Sequence, residues 1–267
     1  MALIADRHLA DPQPDTVGSG PSRSIAFWLG LTGLCAAVLL GVWIFLSGNG
    51  ALPVDTWWHD LMRAWRTDVG LVLAHSLEFI GGVFPMIVAG IAVVVGFLVI
   101  KRPWSALTVV LTLLASQAVT TLLKVVFARP RPADSLTVVG LTSYPSGHTT
   151  LAATLVIIVA LLVRQQLVWV LAAAWVVMMA WSRTFLEAHW LTDTIGGALL
   201  GAAVALLMWS AVATVRRPLG CRRDRAWIDQ RCAREHAASL WLRTDWRVRG
   251  EEVRLGRWCR TGRRRVR

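Results

Sequence analysis

Six apolar runs without Asp, Glu, Lys or Arg divide this chain, covering residues 25–46, 83–100, 104–123, 144–163, 167–182 and 194–215. A helix rises about 1.5 Å per residue, so about 20 apolar residues cross a hydrocarbon layer about 30 Å thick. The pattern predicts an all-α, polytopic membrane protein with six transmembrane helices in a bundle. The fourth run is strongly apolar only over residues 151–163. Within the polar stretch after the first run, LVLAHSLEFIGG (71–82) reads as an interfacial helix. The first run follows a polar lead and precedes five more, so it reads as a span and not as a cleaved signal. Residues 1–24 are expected to be a disordered cytoplasmic N-terminus, 25–215 the six-helix domain, and 216–267 a disordered cytoplasmic tail.

Charge sharpens the division. The chain carries a net +12, yet residues 216–267 hold 17 Arg against 6 acidic residues and so account for +11. Such a tail is drawn to anionic lipid headgroups. It carries no recognisable nucleic-acid module, and no nucleic-acid partner is expected. Cys35, Cys221, Cys232 and Cys259 form no C-x2-C pair, so His236 among the last three does not suggest a zinc site, and free thiols are expected. Lys101, Arg102, Arg164 and the Arg-rich tail fall on one side of the predicted bundle, which the positive-inside rule assigns to the cytoplasm. With six spans the N-terminus shares that side.

Four basic residues break the rule. Lys124, Arg129, Arg131 and Arg183 stand at the opposite, outer ends of the spans. An anionic ligand would explain them. Up-and-down order brings the end of the third run, the start of the fourth, the end of the fifth and the start of the sixth to one face. His189 and Asp193 are four apart, so on a helix the carboxylate would hold one ring nitrogen and leave the other free. Such a His can attack phosphorus or take a proton. Arg131 and Arg183 present forks that match phosphate oxygens, and Lys124 adds a point charge. In YPSGHTT (144–150), Ser146 and Gly147 open a helix whose free N–H groups suit an anion. His148 on that turn is a second candidate acid or base.

These residues fall into three spaced motifs: Lys124, six residues, then Arg131-Pro132; Pro145-Ser146-Gly147-His148; and Ser182-Arg183, five residues, His189, three residues, Asp193. In this the chain resembles the type 2 phosphatidic acid phosphatases, the lipid phosphate phosphatases. The Arg-Pro pair is duplicated at 129–132, and only Arg131 fits the spacing, which makes Arg129 the second choice. The resemblance implies that His189 is the nucleophile, that Asp193 orients it and that His148 protonates the leaving oxygen. Lys124, Arg131, Ser146, Gly147 and Arg183 would bind the phosphate. It also implies no metal or other cofactor, and no acidic cluster suggests one. Glu187 sits at a variable motif position and reads as exposed or as a local partner of Arg183.

The expected function is therefore hydrolysis of a lipid phosphate or diphosphate in the cell (inner) membrane, with undecaprenyl pyrophosphate first, then phosphatidic acid or phosphatidylglycerol phosphate. The alternatives are phosphoryl transfer to another lipid, or a lipid-binding or transport relative without catalysis. The vanadium haloperoxidases share the motif plan, but six apolar spans disfavour them. Gly197 and Gly201 predict close helix packing and do not specify an oligomer.

Overall fold

The computed structural model describes residues 21–137 and 140–215. The expectations for residues 1–20 and for the Arg-rich segment 216–267, with Cys221, Cys232, His236 and Cys259, lie outside the described residues. Among the described residues there are eight α-helices and no strand. They are α1 (Arg23–Leu46), α2 (Pro53–Ala64), α3 (Asp68–Ile80), α4 (Val83–Val99), α5 (Pro103–Phe127), α6 (Gly147–Val163), α7 (Gln166–Phe185) and α8 (Leu191–Val215).

Each apolar run is a helix, but not each is a span by itself. Four are long and apolar enough to cross a membrane alone: α1, α5, α7 and α8. α4 and α6 have 17 residues each, about 26 Å of helix. α4 meets α3 at a bend of 53°, and the bent pair is a fifth candidate. By length and composition alone, four of the expected six spans are met, or five with that pair, and α6 is a shorter apolar helix. The fourth run falls short because Ser143–Ser146 is held outside α6. The Ser143 N–H donates to the Arg129 carbonyl at 2.8 Å, and the Ser146 N–H to the Asp193 carbonyl at 3.0 Å.

The protein is a membrane helix bundle. Trp28, Leu39, Leu114, Val125 and Val177 are among the large apolar side chains on its outer surface. A soluble monomer rarely leaves so much contiguous apolar surface in water. Inside, Phe97, Ala106, Val109, Ile158, Leu161 and Trp209 share one apolar cluster. Along α5, Thr108, Thr112 and Thr120 send their hydroxyls back to carbonyls four residues earlier, at 2.6–2.7 Å. Ser116 meets Thr154 of α6 at 2.7 Å. Small polar residues of this kind let membrane helices approach closely while satisfying their own hydroxyls. The predicted close approach at Gly197 and Gly201 is present. A Cβ at Gly201 would lie 2.5 Å from the Thr150 carbonyl, and one at Gly197 would lie 2.7 Å from the Ser146 carbonyl. α8 is thereby pressed against the first turns of α6.

The stretch expected as an interfacial helix is α3. It is capped by Thr67, whose hydroxyl accepts from the Gly70 N–H at 3.1 Å, and it packs on α7. α2 was not expected. Pro53 starts it, as suits a first helical turn, and Asp55 accepts from the Leu52 N–H at 3.1 Å.

Candidate active site

Four helix ends meet at one end of the bundle: the last turn of α5, the first of α6, the last of α7 and the first of α8. The turns between them carry the motif residues. His189 stands just before α8 and is buried. Its Nε2 faces Arg131 Nη1 at 3.0 Å. Its Nδ1 faces Ser143 Oγ at 3.4 Å and Asp193 Oδ2 at 3.6 Å. A guanidinium has only N–H donors, so Nε2 must be the acceptor and Nδ1 carries the proton. Burial, with Arg131 adding to it and Asp193 opposing, pulls the imidazole down to about 3, so it is neutral at ordinary pH.

The expected His189–Asp193 pair therefore forms, but not on one helical face. α8 starts at Leu191, and Asp193 folds back over its own N-terminus to accept from the Trp190 N–H at 2.9 Å. Asp193 Oδ2 also accepts from the Ser143 hydroxyl. Its other oxygen, Oδ1, accepts from Arg129 Nη1 at 2.6 Å. Arg129 in turn donates from Nη2 to Asp55 Oδ2 at 2.7 Å and to the Gly50 carbonyl at 2.8 Å. Asp55 takes the Thr192 N–H and hydroxyl at 2.9 Å. The side chains of Asp55, Arg129 and Asp193 are all 0% exposed. An ion network this deep needs every member hydrogen-bonded, and here its carboxylates are.

The two arginines of the duplicated Arg-Pro divide the work. Arg129 faces the carboxylates, and Arg131 faces His189 and the Ala188 carbonyl, the latter at 2.6 Å. Burial, and then the nearby Arg183, lower Arg131 to about 10, which leaves it charged. Arg183 is buried and donates to Glu78 at 2.7 Å. Lys124 Nζ donates to the Thr142 carbonyl at 3.2 Å, and its Cε would lie 3.8 Å from a Cβ at Gly147. Ser146 precedes α6 and is buried, with its hydroxyl 3.2 Å from that of Thr149. His148, in the first turn, is half-buried and within electrostatic reach of Arg183, Glu78, Arg131 and Lys124. The Nε groups of Arg129, Arg131 and Arg183 are buried without a protein partner. For Arg131 and Arg183, that leaves donors available to an anion beside a neutral imidazole.

Glu187 corrects the sequence reading. It is neither exposed nor paired with Arg183. α7 ends at Phe185, and Glu187 adopts a left-handed backbone, φ 54°, so the i,i+4 geometry of a continuing helix does not apply. It is buried against Arg66, with Arg63 at 3.8 Å and His59 at 3.9 Å. Burial, and then the adjacent Asp134, push its carboxyl up. A second correction concerns acidic clusters. His59, Asp134 and Glu187 bring three potential metal-ligand atoms within 4.8 Å of one another. Arg63 lies 3.3 Å from Asp134 and Arg66 pairs with Glu187, so both carboxylates already have cationic partners, which leaves this group poorly suited to a divalent cation.

Asp55, Ser143, Thr192 and Glu78 were not among the expected site residues, and Arg129 was expected only as the second choice to Arg131. The repeated Arg-Pro was the one signal in the sequence, and it pointed at Arg129 without saying what that residue holds.

Buried guanidinium groups beside a neutral imidazole, at the ends of membrane helices, make up a site suited to an anionic ligand. Residues 105–217 match the model of the PAP2 superfamily. The fold of the chain is similar to that of the transmembrane PAP2 type phosphatidylglycerolphosphate phosphatase from Bacillus subtilis, with a TM-score of 0.61 and 20% identity, covering 68% of this chain and 94% of that one. It is also similar to Aquifex aeolicus LpxE, with a TM-score of 0.52 and 20% identity over 59% of this chain and 96% of the other. An undecaprenyl-diphosphatase of Sulfolobus acidocaldarius is 33% identical over 78 residues, 29% of this chain and 34% of that protein. In that match the chain spans about a third of its curated relative's length.

Proposed function

We propose that the chain is a metal-independent phosphatase of a membrane lipid phosphate or diphosphate, working through a phosphohistidine. The observation that carries this is the state of His189: a buried, neutral imidazole with its Nε2 lone pair directed toward Arg131 and its Nδ1 toward Ser143 and Asp193. An incoming phosphate takes over the Arg131 donor and meets the same lone pair. Nε2 attacks phosphorus, the P–O bond to the leaving group breaks, and His148 gives that oxygen a proton. Water then attacks phosphorus, returns a proton to His148, and the P–N bond breaks to free phosphate. Lys124, Arg131, Arg183, the Ser146 hydroxyl and the Gly147 N–H hold the charge that grows on the equatorial oxygens.

Undecaprenyl pyrophosphate is the first substrate to test, supported by the shared segment with an undecaprenyl-diphosphatase. Phosphatidic acid and phosphatidylglycerol phosphate follow. The site at the helix ends suits a lipid whose tail stays in the bilayer while its head enters the polar pocket. Lys101, Arg102 and Arg164 lie at the opposite end of the bundle, which favours both termini in the cytoplasm and the site on the outer face of the cell membrane. The test is phosphate release from a panel of these lipids by purified protein in detergent. Release from at least one, absent in His189→Ala, is expected. No release from any lipid, or release that survives His189→Ala, contradicts the reading.

A further inference from the structure

We propose that Asp55 and Arg129 act as a positioning pair for the phosphoryl-transfer step, a role that rests on the proposed function and extends it to α2. Arg129 Nη1 binds Asp193 Oδ1 at 2.6 Å while Nη2 binds Asp55 Oδ2 at 2.7 Å. One guanidinium thus bridges two fully buried carboxylates. The bridge clamps one oxygen of Asp193 and leaves Oδ2 turned toward Ser143, the Trp190 N–H and His189. Thr192 fastens the far side, giving both its N–H and its hydroxyl to Asp55. The orientation of the catalytic carboxylate is therefore set by a residue on a helix that itself supplies no group to the phosphate.

The charge count matters as much as the geometry. Two carboxylates and one guanidinium leave one negative charge behind the imidazole. When Nε2 bonds to phosphorus the ring becomes cationic, and that residual charge stabilises it. Without Asp55 the cluster would be neutral and Arg129 would draw Asp193 toward itself. Phosphate binding by Lys124, Arg131 and Arg183 would be untouched. The loss should therefore appear in kcat and spare KM.

Asp55→Asn keeps the size of the side chain and one acceptor oxygen, enough for Arg129 or for the Thr192 N–H but not for both. It should lower kcat on the order of tenfold to a hundredfold, the range typical when a partner one step removed from a reacting centre is lost, with KM within about twofold. In an Asp193→Asn background the same change should cost less than about threefold, because no carboxylate remains to be positioned. Asp55→Glu, which restores the charge, should recover part of the rate. An equal loss in both backgrounds, or a rise in KM that accounts for the change, would mean that Asp55 only holds the fold, and would overturn the proposal. A readout independent of turnover is 15N NMR of the His189 ring. The wild type should carry its proton on Nδ1, and Asp55→Asn should shift that Nδ1–H signal, because Asp193 moves while Arg131 still fixes the tautomer. An unchanged ring spectrum with unchanged kcat would also overturn it. Failure of wild-type protein to release phosphate from any lipid counts against the proposed function instead, and the ring spectra still decide the positioning role.

Discussion

The two ends of the same bundle are held together by different physics. Toward the end carrying Lys101 and Arg164, Phe97, Ala106, Leu161 and Trp209 pack in one apolar cluster. There the constraint is volume: side chains must fill space against lipid-like neighbours, and one methylene more or less is tolerated. At the other end, Asp55, Arg129, Thr192, Asp193, Arg183 and Glu78 are buried or partly buried and held by directed hydrogen bonds. There the constraint is pairing, and one missing partner strands a charge. The first end can be repacked and the second cannot. Substitutions at the polar end should therefore act in steps, and those at the apolar end by degrees.

The largest test of that contrast lies inside the polar end, between two arginines two residues apart. Arg129→Gln leaves Asp55 and Asp193 buried without their cation, which should cost about 3–5 kcal/mol of stability. Thermal unfolding in detergent measures it. Arg131→Gln removes a donor beside the reacting centre but no structural ion pair. It should unfold near the wild-type temperature while kcat/KM falls about 10²- to 10³-fold. If the two variants lose stability alike, the division of labour between them is wrong.

pH sharpens the comparison next. His189 lies at about 3 in the folded protein, set first by burial and then by Arg131 against the opposing Asp193. The unfolded imidazole takes its proton near its ordinary value of about 6.5. As pH falls through that window the unfolded state gains a proton that the folded state refuses, so stability should decline from about pH 6.5 toward about pH 3. His189→Gln should flatten that component of an unfolding-against-pH series.

At the apolar end, Ile158→Val removes one methylene from a fully buried side chain. It should cost about 0.5–1.5 kcal/mol and leave kcat within about threefold. A hundredfold loss of turnover there would couple the two ends far more tightly than their packing implies. The smallest expected effect is that of a chelator. The carboxylates among His59, Asp134 and Glu187 already pair with Arg63 and Arg66, so activity should survive metal removal. Restoration of lost activity by a divalent cation would contradict this.

The sequence carried the polar end only in part. Charged residues at the margins of apolar runs are costly, which is why Lys124, Arg131, His148, Arg183, His189 and Asp193 stood out. Their convergence followed from the up-and-down order of the runs. The support beneath them did not stand out. Asp55 meets Thr192 across 137 positions, in a stretch where acidic and basic residues are common, and burial is not written in residue type. Arg129 and Arg131 are each followed by a proline, and spacing alone does not say which way a side chain turns in an irregular loop. Glu187 misled because its place at a variable motif position does not show that the chain leaves α7 at Phe185 and turns this side chain against Arg66. The length of the fourth run misled for a related reason. Hydropathy extends the fourth run through Tyr144–Ser146, while the hydrogen bonds of Ser143 and Ser146 hold those residues out of α6.

The account turns on His189 as the group that takes the phosphoryl. The most direct measurement is rapid quenching of the wild-type protein with a lipid diphosphate labelled in its terminal phosphate, followed by mapping of the labelled peptide. The account predicts an acid-labile, base-stable phosphoramidate on His189 that forms within one turnover and is absent in His189→Ala. Label on another residue, or undiminished turnover in His189→Ala with no covalent intermediate, would contradict it.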